Sequence, residues 1–198
     1  MKDRDGRVLK PAVFIDRDGT MIQDVNYLSR ADQVAWFSWT IDAIRLLNRA
    51  GYLVCVVTNQ GAIGLGYTTE DFVRATHDAL AKTLEAAGAR VDGWYFCPHH
   101  PEAIVPSLAI PCECRKPGRG MIDLALKDHA IDLSKSFTIG DKAIDVALGT
   151  NVGARGILVK TGYGETQLTK FNGVIPGAAF VADDLMSAVS WILRNSQP

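Results

Sequence analysis

The sequence has no apolar run long enough to span a membrane and no excess of charge of one sign. Its 21 lysine and arginine residues nearly balance its 22 aspartate and glutamate residues, so no overall field attracts nucleic acid or an anionic membrane surface. The first residues also lack the apolar segment of a secretory signal. We therefore expect a soluble, cytoplasmic protein without a nucleic acid or membrane partner, and we take it to be a monomer.

Internal repeats and low-complexity segments are missing as well. A chain of 198 residues that is 47% hydrophobic can bury one sizeable core, which predicts a single domain over residues 1–198 with one elaborated loop. Residues 1–11 are charged and carry no apolar pattern until the first strand begins. We expect them to form a flexible tail.

Cysteine is scarce, with four residues in the chain, and cytoplasmic proteins seldom pair cysteines in disulfides. Cys55 lies inside the apolar run Leu53–Val57 and is expected in the core. The other three cysteines fall in a long, proline-rich stretch, residues 97–120, which is unusual in a compact domain unless something pins it. The helical stretches that contain His77 and His129 are expected to place both histidines at the surface.

The most informative stretch is the apolar run Ala12–Ile15, which ends in Asp16, Arg17, Asp18 and Gly19. A buried parallel strand delivers charged groups to its carboxyl edge in this way. The alternative is a plain polar turn, because aspartate and glycine are common turn residues. Residues 3–6 repeat the same tetrapeptide without an apolar run before it, and this copy is expected to be solvated.

Strand and helix patterns alternate along the rest of the chain. The predicted strands are 12–15, 53–57, 94–96, 136–139, 156–159 and 179–181, and the predicted helices are 41–50, 68–88, 121–130, 143–148 and 183–193. Residues 21–39 have no clean period and are expected to form a flap or hairpin. This alternation predicts a three-layer α/β/α, Rossmann-like parallel sheet without a large cap domain.

Polar residues follow four of the predicted strands, and parallel strands bring their carboxyl ends to one edge. The residues expected there are Asp16, Asp18, Thr58, Asn59, Lys116 and Asp141. Crowded carboxylates repel each other unless a cation neutralises them, and a set of oxygen ligands on a rigid edge suits Mg²⁺. The cation and Lys116 would then hold the oxygens of a phosphoryl group together with Thr58 and Asn59.

A carboxylate can act as the nucleophile of a phosphoryl transfer. Asp16 is the rigidly placed candidate, and Asp18 lies close enough to serve as general acid and then general base. A signalling receiver domain, which accepts phosphate on an aspartate without turnover, is an alternative from another class. Its acceptor needs no acid two residues later, so Asp18 distinguishes the two hypotheses.

These residues resemble the four motifs of the haloacid dehalogenase-like phosphatases, in order and along nearly the whole chain. The matching segments are Asp16–Thr20, Thr58–Asn59, Lys116 and 140–145. The resemblance implies that Asp16 is the nucleophile and Asp18 the acid/base, and that Thr58 and Lys116 bind the phosphoryl group. It also implies that Asp141 holds Mg²⁺ with Asp16 and Asp18, next to Lys142.

Within that family, the chain looks most like the subgroup of heptose bisphosphate phosphatases and histidinol phosphatases. The marks of this subgroup are Cys97-Pro98-His99 and Cys112-Glu113-Cys114-Arg115-Lys116. Three thiolates and one imidazole form a complete tetrahedral, structural Zn²⁺ set, from Cys97, His99, Cys112 and Cys114. The alternative is a disulfide with one spare thiol. Zinc would pin the loop and aim Arg115 and Lys116 at the site.

The same resemblance suggests which residues contact the substrate: Asp24, Asn26, Tyr27, Asn59, Gln60, Gly61 and Arg115. The chain departs from the heptose enzymes at Gly64–Gly66, where they carry an arginine, and at Gly118-Arg119, where they carry a His-Pro pair. Arg119 is the candidate to replace that arginine. We expect a Mg²⁺-dependent phosphomonoesterase for a sugar such as D-glycero-D-manno-heptose 1,7-bisphosphate. Histidinol phosphate is the alternative substrate, and an inactive binding module the alternative role.

Overall fold

The computed structural model describes residues 6–196, and a single sheet organises them. Its strands are β1 (Ala12–Ile15), β2 (Leu53–Asn59), β3 (Gly93–Cys97), β4 (Phe137–Gly140), β5 (Arg155–Val159) and β6 (Ala178–Ala182). The α-helices are α1 (Thr40–Arg49), α2 (Glu70–Ala86), α3 (Gly120–Asp128), α4 (Ala143–Val152), α5 (Gly164–Lys170) and α6 (Leu185–Asn195). None of the helices in residues 6–196 combines the length and apolar character needed to cross a bilayer.

All six strands are parallel and lie in the order β3-β2-β1-β4-β5-β6. The strand order reverses between β1 and β4, because β1 pairs with β2 on one side and with β4 on the other. In open α/β sheets, ligands bind outside the carboxyl ends of the strands at such a switch point. Asp16 follows β1 and Asp141 follows β4, so both residues stand at that point.

The sheet is covered by helices on both faces, which confirms the three-layer prediction. Alternate residues of β1 point to opposite faces: Val13 and Ile15 join the core that α1, α2 and α6 cover, whereas Ala12 and Phe14 join the core beneath α3 and α4. All four side chains of β1 are fully buried. A strand buried on both faces is expected to read as an uninterrupted apolar run.

Local signals explain where several helices begin. Thr69 Oγ1 accepts a hydrogen bond from the Phe72 N–H and so caps α2, as the threonine pair and the acids after it predict. Asp184 Oδ1 accepts from the Ser187 N–H and caps α6. The six predicted strands and the five predicted helices, which correspond to α1–α4 and α6, are confirmed to within a few residues at their ends. Helix α5 was not predicted from the sequence.

The segment between β1 and α1 contains little regular structure, as expected for a flap. It holds one short 3₁₀ turn, Ala31–Gln33, and an antiparallel bridge between Ile22 and Trp36. Within the predicted tail, Lys10 forms an isolated parallel β-bridge with Ile131. Residues 1–5, which include most of the first Asp-Arg-Asp-Gly copy, lie outside the described range.

Candidate active site

Asp16 is the first residue after β1, and its main chain is still tied to the sheet. The Asp16 N–H donates to Ile139 O of β4 at 2.9 Å, so the position of the side chain is set by two central strands. Its Oδ1 accepts from the Arg17 N–H at 2.8 Å and lies 2.9 Å from Lys116 Nζ. The carboxylate is therefore buried and fixed in direction.

Lys116 is a buried ammonium between two carboxylates. Its Nζ lies 2.9 Å from Asp16 Oδ1 and 2.6 Å from Asp145 Oδ1, and it donates to Val57 O at 2.9 Å. Burial alone lowers the pKa of Lys116, but Asp145 and Asp16 outweigh that effect and raise it. The lysine is consequently charged at neutral pH.

The side chain of Asn59 positions Lys116 through hydrogen bonds to the main chain of the lysine. Asn59 Oδ1 accepts from the Lys116 N–H at 3.0 Å, and Asn59 Nδ2 donates to Lys116 O at 3.3 Å. Both ends of the amide are thereby used on Lys116. Asn59 was predicted to contact substrate, and the structure places it as the link between the end of β2 and the loop that carries Lys116.

Three carboxylates, those of Asp16, Asp141 and Asp145, offer oxygen atoms that all lie within 4.8 Å of one another. Asp141 is fully buried, and burial followed by the charge of Asp16 raises its pKa to about 7. Its Oδ2 accepts from the Tyr163 N–H at 2.8 Å, while no hydrogen-bond donor of residues 6–196 reaches its Oδ1. A hard oxygen set with an unpartnered buried atom fits a divalent cation such as Mg²⁺.

The carboxylate of Asp18 does not belong to this group. It accepts from the Arg17 guanidinium at 3.0 to 3.2 Å and from Gln60 Nε2 at 2.8 Å. The peptide that joins Asp18 to Gly19 nevertheless passes beside the cation site, since a Cβ on Gly19 would lie 2.3 Å from Asp141 Oδ2. Gly19, the residue after Asp18, therefore packs directly against Asp141.

Arg17 and His77 belong to the site, although the sequence did not predict a role for either of them. Arg17 is 1% exposed, and besides Asp18 it donates to Gln60 Oε1 at 2.9 Å and to His77 Nε2 at 3.2 Å. His77 was expected at the surface, but it is buried and stacks on Trp94 with 4.9 Å between ring centroids. Burial, then the charge of Arg17, lowers the pKa of His77 to about 3, so the imidazole is neutral.

Gln60 connects this network to the phosphoryl pocket. Its Nε2 also donates to Thr58 Oγ1 at 2.8 Å. Because Thr58 accepts that hydrogen bond, its own hydroxyl proton remains for a ligand. Gln60 was predicted to contact substrate, and the structure gives it a supporting position between Thr58, Asp18 and Arg17.

The flap closes one side of the site. Asp24 Oδ2 lies 3.5 Å from Lys142 Nζ, and Asp24 Oδ1 accepts from the Asn26 N–H at 2.7 Å. Tyr27 stacks on Tyr67 with 4.8 Å between ring centroids. The catalytic cleft has a volume of about 80 Å³, and its walls come from both the sheet edge and the flap: Asp16, Asp18, Asp24, Asn26, Thr58, Asn59, Lys116, Lys142 and Ile144.

Arg115 lies on the opposite side, next to the loop that follows β2. Its Nη1 donates to His99 O at 2.9 Å, and a Cβ on Gly61 would lie 3.3 Å from the same nitrogen. Arg119, by contrast, is exposed and forms a two-contact pair with Asp123 of its own helix, at 2.9 and 3.0 Å. In this conformation Arg119 is engaged by Asp123 and does not line the catalytic cleft.

The predicted zinc ligands come together. Five ligand-atom pairs among Cys97 Sγ, His99 Nδ1, Cys112 Sγ and Cys114 Sγ are 3.1 to 3.7 Å apart. A tetrahedral Zn²⁺ with bonds of about 2.3 Å would separate its sulfur ligands by about 3.8 Å. All the cysteines are free, which disfavours the disulfide alternative. Cys55 lies in the core as predicted, and burial raises its pKa to about 12.

Comparisons with known proteins give a consistent result. A family model described as HAD-hydrolase-like matches residues 113–188. The chain is 40% identical to D-glycero-D-manno-heptose-1,7-bisphosphate 7-phosphatase of Thermosynechococcus vestitus, over 96% of this chain and 98% of that protein. It is 39% identical to D-glycero-beta-D-manno-heptose-1,7-bisphosphate 7-phosphatase of Escherichia coli K12, over 77% of this chain and 80% of the relative.

A solved structure is similar over the same extent. The crystal structure of D,D-heptose 1,7-bisphosphate phosphatase from B. bronchiseptica, in complex with magnesium and phosphate, superposes with a TM-score of 0.82 at 28% identity. The match covers 93% of this chain and 98% of that one. The similarity therefore covers nearly the whole chain.

Proposed function

The chain belongs to the haloacid dehalogenase-like phosphatases, and from this membership we propose that it removes the 7-phosphate of D-glycero-D-manno-heptose 1,7-bisphosphate. The observation that carries the proposal is the arrangement of Asp16, Lys116, Asp141 and Asp145, four buried charged side chains at the switch point of the sheet. The activity of its relatives disfavours a receiver domain or an inactive binding module, since those relatives are phosphatases.

In the first step, a carboxylate oxygen of Asp16 attacks the phosphorus atom and the bond from phosphorus to the sugar oxygen breaks. Asp16 is suited to this role because β1, β4 and Lys116 hold its carboxylate in one direction. The product of the step is an aspartyl-phosphate and a sugar hydroxyl. Asp18 supplies the proton that the leaving oxygen requires.

In the second step, water attacks the phosphorus atom of the aspartyl-phosphate and Asp16 leaves as a carboxylate. Asp18, which is deprotonated after the first step, accepts the proton of the water molecule. Arg17 and Gln60 hold the Asp18 carboxylate at a fixed position two residues from the nucleophile. Because Arg17 and Gln60 occupy both oxygens of Asp18 in this conformation, one of these contacts must give way when Asp18 carries the proton.

Binding of the phosphoryl group falls to Thr58 and Lys116. Thr58 has a free hydroxyl proton, and the Lys116 ammonium is already between two carboxylates at the bottom of the cleft. Mg²⁺, held by Asp16 and Asp141 with the main-chain carbonyl of Asp18, would neutralise charge on the phosphoryl oxygens. Lys142, 3.6 Å from Asp141 Oδ1, adds a positive charge at the rim.

The rest of the substrate must lie outside the small catalytic cleft. Asp24 and Asn26 on the flap line the cleft and are our candidates for the sugar, with Tyr27 beside them. Arg115 lies outside the cleft, on the zinc loop, and its guanidinium is our candidate for a second phosphate. Gly61 lies against Arg115 and leaves room for that side chain. The relatives that act on a heptose bisphosphate are what support a substrate with two phosphates.

We also assign a structural Zn²⁺ to Cys97, His99, Cys112 and Cys114. The metal would fix the loop over residues 97–120, so that Arg115 and Lys116, which follow Cys114 directly, enter the site in one orientation. We further propose that the protein is a soluble monomer in the cytoplasm, where thiols stay reduced and remain free to bind a metal. Size-exclusion chromatography checks the monomer.

The experiment is a comparison of substrates with Mg²⁺ present. Heptose 1,7-bisphosphate and histidinol phosphate are offered to the purified protein, released phosphate is measured, and phosphorus NMR identifies the remaining phosphate. We expect the heptose compound to have the higher kcat/KM and to yield the 1-phosphate. Preference for histidinol phosphate, or loss of the 1-phosphate instead, would overturn the substrate assignment.

A further inference from the structure

Tyr163 touches three parts of the site, although no motif points to it. It follows β5 and stands between the flap and the carboxylate group. Its main chain, its ring and its hydroxyl each contact a different residue: Asp141, Lys142 and Asn26. A single side chain at this place can therefore couple the cation site to the part of the protein that meets the substrate's sugar.

The main chain around Tyr163 is fixed independently of its side chain. Thr161 Oγ1 donates to Gly19 O at 2.6 Å, and the Tyr163 N–H donates to Asp141 Oδ2 at 2.8 Å. A Cβ on Gly162 would lie 2.7 Å from the Cα of Gly19, which shows how closely the two turns pack. A substitution of the Tyr163 side chain consequently leaves its contact with Asp141 in place.

The ring of Tyr163 lies under the ammonium of Lys142, with 4.5 Å between Nζ and the ring centroid. The same ammonium is 3.6 Å from Asp141 Oδ1 and 3.5 Å from Asp24 Oδ2. A cation between carboxylates can move from one to the other, and an aromatic face gives it a fixed neutral support. The ring thus helps to hold Lys142 at the rim of the cleft.

The hydroxyl of Tyr163 donates to Asn26 Oδ1 at 2.9 Å. Asn26 is exposed and has a left-handed backbone, with φ of 71°, at the tip of the flap. Because its amide oxygen is occupied by Tyr163, its two N–H donors remain for a ligand that accepts hydrogen bonds, such as a sugar hydroxyl or a phosphate oxygen. Without that hydroxyl, the amide would be free to rotate.

Tyr163 also forms a wall of a second cavity, of about 420 Å³, beside the catalytic cleft. The cavity shares Asp24 and Asn26 with the cleft, and its remaining lining comes from Gln23, Val25, Phe37 and Gly162. A leaving group larger than the cleft can extend into this space past Asn26. A compact aryl leaving group has no hydroxyl groups that could accept a hydrogen bond from the Asn26 amide.

We propose that Tyr163 is a positioning residue that orients Asn26 and Lys142 toward the polyol part of the substrate, so that sugar phosphates are preferred over aryl phosphates. This inference rests on the proposed function for its substrate class. It assigns to Tyr163 no contact with the reacting atoms. Its effect is transmitted through Asn26 by the hydroxyl and through Lys142 by the ring.

Tyr163→Phe removes the hydroxyl and keeps the ring. With heptose bisphosphate we expect KM to rise about 3- to 10-fold and kcat to stay within about 2-fold of wild type. The kinetics with p-nitrophenyl phosphate should not change. Tyr163→Leu also removes the support of Lys142, and we expect kcat/KM to fall for both substrates. Tyr52→Phe is the matched control. Tyr52 lies just before β2, away from the site, and its hydroxyl is hydrogen-bonded to Ser196.

The role of Asn26 is tested by a double-mutant cycle. In an Asn26→Ala background, Tyr163→Phe should change KM no further, because the partner of the hydroxyl is already absent. Amide hydrogen exchange of residues 24–27 in the free protein should be faster in Tyr163→Phe than in wild type or Tyr52→Phe. Additive effects on KM together with unchanged exchange would overturn the inference.

The two proposals fail in different ways. Suppose that wild type does not hydrolyse heptose bisphosphate but that amide hydrogens of the flap exchange faster in Tyr163→Phe. The substrate assignment is then wrong and the positioning role stands. The kinetics are then repeated with the best substrate from a panel of sugar phosphates. If wild type hydrolyses the heptose compound and Tyr163→Phe behaves as wild type in both measurements, the substrate assignment stands and the role of Tyr163 is refuted.

Discussion

Individual side chains show how unevenly charge is balanced at the sheet edge. Lys116 neutralises much of the charge of Asp16 and Asp145, at 2.9 and 2.6 Å, whereas the ammonium beside Asp141 is that of Lys142, at the longer distance of 3.6 Å. Burial and the charge of Asp16 raise the pKa of Asp141 to about 7 for this reason. The three carboxylates together with Lys116 and Lys142 keep a net negative charge, which favours the binding of a divalent cation.

His77 gives a prediction about stability and pH. Its pKa is about 3 in the folded protein and about 6.5 in the unfolded chain, so the unfolded state binds its proton first as the pH falls. Its contribution to stability is complete above pH 6.5 and is lost progressively as the pH falls toward 3. We expect the titration of His77 to lower the free energy of unfolding by about 2 kcal/mol between pH 6.5 and pH 5.

The measurement is urea unfolding of wild type and His77→Gln at pH 7 and pH 5. Glutamine cannot titrate, so the free energy of unfolding of the variant should fall less than that of wild type. His77→Phe should show the same reduced fall, because it also lacks the titrating group. Equal falls in all three proteins would contradict the assignment of a neutral, buried His77.

The residues that could be predicted at this scale are those whose type alone suggests chemistry and which follow a strand, such as Asp16, Thr58 and Asp141. Arg17, His77 and Tyr163 could not be predicted in the same way, because their roles depend on partners brought close by folding: Arg17 and His77 are 60 residues apart in the chain. A buried arginine needs several acceptors, and only the structure shows where these are.

Among the local elements, the turn after β1 places a strict demand on its sequence. Gly19 has φ of +81°, and a Cβ there would lie 2.3 Å from Asp141 Oδ2. We expect Gly19→Ala to displace Asp141 and to lower kcat/KM by about 100-fold, the cost of a misplacement of about 1 Å. Steady-state kinetics with Mg²⁺ present, at several concentrations, is the measurement.

Gly51 offers a matched control, because its φ is +84° and nothing lies within 4 Å of the position where a Cβ would be added. Gly51→Ala should cost about 1 kcal/mol of stability from backbone strain and leave kcat/KM unchanged. If both variants lost activity to the same degree, strain rather than the contact with Asp141 would explain the effect of Gly19→Ala.

The loop between β3 and α3 gives a prediction about metal. Purified protein should contain about one Zn²⁺ per chain. Cys112→Ser should lose the metal and lower kcat/KM by at least about 10-fold, because Arg115 and Lys116 then lose their fixed approach to the site. Cys55→Ala, a core substitution outside the cluster, should keep both metal and activity. Full zinc content in Cys112→Ser would contradict the assigned ligands.

Most elements were predictable because their apolar patterns are strong, and α5 was not. Its seven residues, Gly164–Lys170, include a single large apolar side chain, Leu168, so no helical period can be read. The segment is held by its surroundings: Gln167 Oε1 accepts from the Ala143 N–H of α4 at 3.2 Å. The loop that places Tyr163 lies directly before it, which explains why that residue was missed as well.

For the whole molecule, the sequence predicts the fold and the position of the site through one property, the alternation of buried strands and amphipathic helices. Parallel pairing then brings the ends of β1, β2 and β4 together, and no additional sequence signal is needed. Asp16, Thr58 and Asp141 are brought together in the same way. The long loop over residues 97–120 is different, since it carries a Cys/His cluster that could hold a metal ion, and no apolar strand or helix pattern predicts its course.

The central claim is that Asp16 carries the phosphoryl group during turnover. The most direct measurement is a rapid acid quench of the protein mixed with Mg²⁺ and heptose bisphosphate labelled in the 7-phosphate, followed by peptide mapping. We expect label on the peptide that contains Asp16, released by hydroxylamine as an acyl phosphate is, and no label in Asp16→Asn. Rapid release of phosphate by wild type with no labelled peptide at any time, or full turnover by Asp16→Asn, would contradict the claim.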